Sequence, residues 1–209
     1  MWVQFPSEVV RVARALDGVL ATLPSTFSYS QARAFGMSER RLYALRDAGL
    51  VEMLGRGLYR RTDTRIQADF DLLEIAFRAT ESTLCLTTAL ARHGLSDAIP
   101  GSIDVALPRG HRHPRTQAPV TWHAFAADTF GVGREEVALA DGVSIGLYSP
   151  ERCIVDAFRL RHVEGPEVAH EALRRWLRRR GAHPAELVAM AHSFPKAESA
   201  LRTALEILL

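Results

Sequence analysis

Apolar residues in the early part of the chain recur at helical spacing and then break in an informative order. Val9, Val12, Ala13, Leu16, Val19, Leu20 and Leu23 line one face of a helix predicted over Ser7 to Leu23, and Pro24 ends it. Thr26 and Phe27 predict a short extended piece. Ser28 to Gly36 reads as a second, short helix stopped by its glycine, and Ser38 as the N-cap of a third helix running to about Ala48. A helix-turn-helix needs a small residue where its helices cross, a glycine four positions later, and an apolar inner face on the second helix. Ala32, Gly36 and the set Met37, Leu42 and Leu45 meet those needs. Leu50 to Arg60 follows as two short strands around a Gly55-Arg56-Gly57 tip, which makes the head a winged helix over residues 1–64.

The pattern changes in residues 65–209. An amphipathic helix is predicted from Ile66 to Ala79, on Ile66, Phe70, Leu73, Ile75, Ala76 and Phe77. Buried strands are expected at Thr83–Leu86, Ile103–Leu107, Val120–Phe125 and Val143–Tyr148, with a short helix from Thr88 to His93 ended by Gly94. Val137–Ala140 suits a hairpin with the last strand, entered through Asp141-Gly142. Ser149, Pro150 and Glu151 form a helix start, and helices follow at about Pro150–Arg161, Pro166–Arg180, Pro184–Ser193 and Pro195–Leu209. The expected fold class is α+β: an N-terminal winged helix-turn-helix, then a mixed strand/helix domain with a helical C-terminal half.

Composition narrows the class. With 47% apolar and 24% charged residues among 209, the chain reads as globular, and no apolar run approaches the roughly 18 residues of a membrane span. Glu8, Arg11, Arg14 and Asp17 interrupt the first apolar stretch, which argues against a secretory leader and for a cytoplasmic protein. Cys85 and Cys153 stand far apart in apolar runs and read as buried, reduced thiols. Net charge is only +2, yet residues 1–66 hold ten arginines against six acids while the remainder is slightly acidic. A basic head on a near-neutral body suits a DNA-binding module joined to something else. Lys196 is the only lysine, and arginine makes the forked contacts to phosphate and guanine that lysine cannot.

Helix geometry then names candidate contacts. With Leu42 and Leu45 inward, Arg40 and Ala44 point away from the core, with Asp47 and Tyr43 next to them. Arg40 is the first candidate for a base contact, to guanine O6 and N7. Tyr43 and Ala44 suit a thymine methyl or close approach of the helix. Arg41, Arg46, Arg56 and Arg60 suit phosphate, joined by Ser28, Ser30 and Gln31 at the start of the second helix and by Ser38 at the start of the third.

Gly55 to Tyr59, Leu86 through His93 to Asp97, Ile99-Pro100, Leu107 to Gly110, Tyr148 through Asp156 to Arg159, and Glu171 to Arg174 stand in a recognisable order. On these segments the chain resembles, over nearly its whole length, the AbiEi-type antitoxins of bacterial type IV toxin–antitoxin (abortive infection) systems. The resemblance implies a repressor of its own two-gene operon. Its partners would be double-stranded DNA at promoter repeats and a cognate toxin of the nucleotidyltransferase family. It also implies a second basic surface, for which Arg109, Arg112 and Arg115 in one loop, and Arg174, Arg175, Arg178, Arg179 and Arg180 on one helix, are the candidates. Two alternatives remain: covalent inactivation of the toxin, for instance by phosphorylation, or neutralisation by direct contact.

Other chemistry has little support. His111 and His113 lack cysteine or acidic neighbours at metal-ligand spacing. His93 suits a helix C-terminus. Asp156 is spaced to pair with Arg152 and Arg159. Gly101-Ser102-Ile103-Asp104 has a nucleotidyltransferase-like opening without the paired carboxylates that would hold metal. Walker, kinase-loop and G-x-S-x-G signatures are missing. No enzyme activity, cofactor, metal or membrane partner is expected, and no long heptad pattern sets an oligomeric state.

Overall fold

The computed structural model describes residue 20 and residues 22–63, 69–140 and 142–209. Most of the helix expected at residues 7–23, together with Ile66 and Asp141, lies outside the described residues. The contacts divide the chain into two compact units, Met1–Arg78 with Ala138–Ser144, and Ala79–Val137 with Ile145–Leu209.

In the first unit, β1 (Thr26–Ser28) leads directly into α1 (Tyr29–Ala34), followed by α2 (Glu39–Asp47), β2 (Val51–Gly55) and β3 (Leu58–Arg61). The strands form a sheet of order β1-β3-β2, antiparallel throughout, with Phe27 opposite Tyr59 and Val51 opposite Arg61. Ala32, Met37, Leu42 and Leu45 are all essentially buried, and with Phe27, Val51 and Tyr59 they form one apolar core. Each fully buried Leu in such a core contributes about 2 kcal/mol. The turn between the two helices depends on Gly36, whose φ of 79° lies in the left-handed region that a side chain disfavours. That turn lets Met37 N donate to Ala32 O at 3.0 Å and drops Met37 into the core. The helix-turn-helix, the wing and their apolar faces stand where the spacing predicts them.

α3 (Phe70–Arg78) also belongs to this unit, whereas the boundary expected at the end of the wing, after residue 64, groups it with the remainder. Buried Glu74 lies beneath Gly55, 3.6 Å from where a side chain there would begin, and pairs with Arg78 Nε at 2.7 Å.

The second unit is built on a five-stranded mixed sheet. Its strands are β4 (Thr83–Leu84), β5 (Ile103–Pro108), β6 (Val120–Phe125), β7 (Arg134–Ala140) and β8 (Val143–Tyr148), in the order β6-β5-β4-β8-β7. β4 runs antiparallel to β5 and parallel to β8, and β5 runs parallel to β6. Gly146 of β8 lies beside Thr83, and a Cβ there would come within 2.5 Å of the threonine hydroxyl, so the position has no room for a side chain.

Helices α4 (Leu86–Arg92), α5 (Ala127–Phe130), α6 (Pro150–Arg159), α7 (Arg161–Glu164), α8 (Pro166–Leu177), α9 (Pro184–Ala191) and α10 (Pro195–Leu208) complete the unit. α6 starts as its sequence signals require. Ser149 Oγ accepts from Arg152 N at 3.3 Å, and Pro150 occupies the first turn. Every residue from Arg152 to Phe158 is buried, because α4, α8, α9 and α10 all pack against this helix.

Several boundaries differ from the sequence reading. The strand expected at Thr83–Leu86 stops at Leu84, and Leu86 already opens α4 with a φ of 44°. α6 ends at Arg159 and α8 at Leu177, each shorter than its apolar periodicity suggests. β7 is longer than Val137–Ala140, and α5 is not anticipated by any cap signal.

Candidate nucleic-acid interface

The first turn of α1 is held by a reciprocal cap. Ser28 Oγ accepts from Gln31 N at 3.1 Å, while Gln31 Oε1 accepts from Ser28 N at 2.7 Å. Ser30 Oγ lies 2.8 Å from Ser28 Oγ. Ser28 and Gln31 therefore spend these oxygens on the helix end, and only the Ser28 hydroxyl hydrogen and the Gln31 amide NH2 are left as donors toward phosphate. Ser38 is likewise the cap of α2, its Oγ accepting from Arg41 N at 3.3 Å.

α2 presents the outward face that its periodicity implies. Leu42 and Leu45 are buried, Arg40 and Arg41 are exposed, and Ala44 lies between them and the core in exposure. Among the described residues neither Arg40 nor Arg41 has a side-chain hydrogen bond or ion pair, and the same is true of exposed Arg56 at the wing tip. Tyr43 donates its hydroxyl to Glu39 Oε1 at 2.9 Å, and the adjacent carboxylate pushes the phenol pKa upward. Arg46 pairs with Asp47 at 2.9 Å and stacks over the Tyr43 ring at 4.9 Å. Arg60 does not stand free. Its guanidinium pairs with Glu52 and lies 5.0 Å over the Phe70 ring, so it is already engaged within the head.

The second unit sorts its cations in the same two ways. Arg109, Arg112 and Arg115 are exposed in the loop after β5, with no side-chain partner among the described residues. Within that loop His111 pairs with Glu81 at 3.0 Å, and His113 stacks on Trp122 at 5.8 Å. Arg174, Arg178 and Arg180 are similarly exposed and unpaired. Arg175 instead forks onto Asp97 and also meets Glu171 at 2.5 Å, while Arg179 donates to the carbonyl of His93. Both candidates of the second basic surface thus also make links within the unit. Among the described residues no group of His, Cys, Asp and Glu side chains is placed to hold a metal ion, and no helix is long and apolar enough to cross a membrane.

Residues 16–62 match the family model described as transcriptional regulator, AbiEi antitoxin. Over these residues the head is similar to that of the AbiEi antitoxin regulators. The matched segment contains α1, α2 and strands β1 to β3. Beyond it, the chain shares its fold with the crystal structure of the RV2827C protein from Mycobacterium tuberculosis. The TM-score is 0.53 at 16% identity, covering 97% of this chain and 82% of that one. No curated protein matches the sequence.

Glu39, exposed at the start of α2, lies outside the contacts that the sequence predicts for the head. Its signal is the i,i+4 spacing to Tyr43. Arg33 on α1 is likewise exposed, with no side-chain partner among the described residues. Elsewhere the other chemical candidates are engaged structurally. Asp104 binds His123 Nε2 at 3.0 Å with one oxygen and faces Thr88 with the other. His93 Nε2 lies 2.7 Å from the carbonyl of Tyr148 at the end of α4. Burial raises the pKa of both the Cys85 and Cys153 thiols, so they stay protonated.

Proposed function

We propose that this protein is a DNA-binding autorepressor and antitoxin. The head reads repeats in the promoter of its own operon, and the protein as a whole counteracts a cognate nucleotidyltransferase-type toxin in the cytoplasm. The observation that carries the DNA reading is the distribution of arginine. Among the described residues, Arg40, Arg41 and Arg56 have no side-chain partner on the outward face of α2 and the wing, while Arg60 and Arg61 nearby are neutralised by acids. Unpaired guanidinium groups on a winged helix suit phosphate and guanine, which supply the acceptors the protein withholds.

The type IV, abortive-infection assignment rests on the resemblance, with the family match of the head in support. Arg109, Arg112 and Arg115, together with Arg174, Arg178 and Arg180, offer a second surface for phosphate or for an acidic face of the toxin. In this reading the second unit opposes the toxin without catalysing a reaction. Support comes from its buried thiols, from Asp156 held between two arginines and from Asp104 tied to His123.

Footprinting on the upstream promoter tests the DNA role. Protection of repeated sites by the wild type, abolished in an Arg40→Ala, Arg56→Ala double variant, is the expected result. Mass spectrometry of the toxin after incubation with this protein and ATP tests the absence of chemistry, and an added phosphate mass would overturn that part.

A further inference from the structure

The N-terminal end of the α2 face carries a carboxylate that a simple phosphate-binding surface does not want. Glu39 is the first residue of the helix, and its carboxylate stands on the same exposed face as Arg40. A negative charge there repels the DNA backbone. Its presence in the first turn has an ordinary explanation, complementing the positive end of the helix dipole. That explanation does not account for its orientation. Tyr43, one turn further on, donates its hydroxyl to Oε1 at 2.9 Å and fixes the carboxylate along the outer face, leaving Oε2 with no partner among the described residues. Tyr43 is itself held under the Arg46 guanidinium, which pairs with Asp47. Ala44 has no side chain beyond Cβ, and a shallow depression of about 520 Å³ lies over this face, lined by Glu39, Arg40, Tyr43, Ala44 and Asp47.

We infer that Glu39, positioned by Tyr43, is a specificity-determining residue that accepts a hydrogen bond from a cytosine N4 amino group in the major groove. The inference rests on the DNA-reading role proposed for the same face and deepens it. Residues at the N-terminal end of a recognition helix are those that reach base edges. A carboxylate there accepts from the cytosine amino group and is repelled by the O6 and N7 acceptors of guanine. Arg40 has the opposite preference and stands free beside it. Adjacent side chains on a helix point about 100° apart, so the two address different base positions. The target is thus a half-site with one position selected for guanine by Arg40 and another selected for cytosine by Glu39. Tyr43 acts through Glu39 by holding it in one rotamer, so it is a positioning residue in this respect.

The experiment is enrichment of bound duplexes from a randomised DNA pool by the full-length wild type, Glu39→Gln, Tyr43→Phe and Arg40→Ala, followed by competition between duplexes differing at single positions. The wild type is expected to select cytosine over guanine at one position by about tenfold or more. In Glu39→Gln that preference collapses, the guanine preference assigned to Arg40 survives, and affinity for random duplex rises because a negative charge has left the interface. Tyr43→Phe weakens the cytosine preference without abolishing it. A merely structural Glu39 predicts instead an unchanged base profile with altered thermal stability, and that result would overturn the inference while leaving the DNA-reading role intact. Failure of the wild type to enrich any sequence would overturn both.

Discussion

Each unit holds both free and engaged arginines, and the two extremes differ most sharply between Arg40, Arg41 and Arg56 of the head and Arg152 of the second unit. Arg40, Arg41 and Arg56 are exposed and, among the described residues, have no side-chain partner. In the second unit, Arg152 is wholly buried in the helical core. Its Nε lies 2.9 Å from Asp156 Oδ2, its Nη1 donates to the carbonyls of Thr129 and Val132, and its guanidinium lies 4.2 Å over the Tyr148 ring and 4.3 Å over that of Phe194. Arg159 closes the network from the other side, 2.8 Å from Asp156 Oδ1. A buried charge is tolerable only when fully satisfied, so the core arginines fix architecture. Arg40, Arg41 and Arg56 keep their hydrogen-bonding capacity for a partner, and local stability there depends on the apolar helix faces and caps instead.

The largest effect that sharpens this contrast is expected in the second unit. Asp156→Ala leaves Arg152 buried without its carboxylate and should destabilise the protein by about 3–5 kcal/mol, read by chemical denaturation. Paired replacement of Arg152 and Asp156 by apolar residues of similar volume should recover much of that loss. Next comes Arg40→Ala, expected to remove roughly 1–3 kcal/mol of discrimination at one base position while leaving the denaturation midpoint nearly unchanged. Arg56→Ala should weaken binding about equally across sequences and lower the slope of log affinity against log salt by about one, measured by titration at several salt concentrations. Smallest is Ser28→Ala. Loss of the cap should lower stability by about 1 kcal/mol with the base profile intact, and a selective loss of affinity instead would place Ser28 in the interface.

How much of this was legible in the sequence follows from how local each interaction is. The head was readable because its signals fall within a few residues of one another: Ala32 to Gly36, Leu42 to Leu45, and the glycines of the wing. The pairing of Asp156 with Arg152 and Arg159 was readable for the same reason, since helical spacing alone brings them together. The Ser28-x-x-Gln31 cap was equally local, but those residues were assigned outward because a polar side chain at a helix start suits phosphate as well as its own backbone. The ion pairs of Arg60 and Arg175 were not legible, for a different reason. Arg60 meets Glu52 only through the register of β2 and β3, and Arg175 meets Asp97 across a large sequence separation. Helical periodicity identifies an outward-pointing arginine, but a partner on another element decides whether it is free.

The central claim is that the outward face of α2 and the wing tip read duplex DNA. The most direct measurement is nuclease footprinting on the operon's own upstream DNA, comparing the wild type with the Arg40→Ala, Arg56→Ala double variant at matched fold stability. The account predicts discrete protected sites for the wild type and their loss in the double variant. Identical protection by both proteins would contradict it.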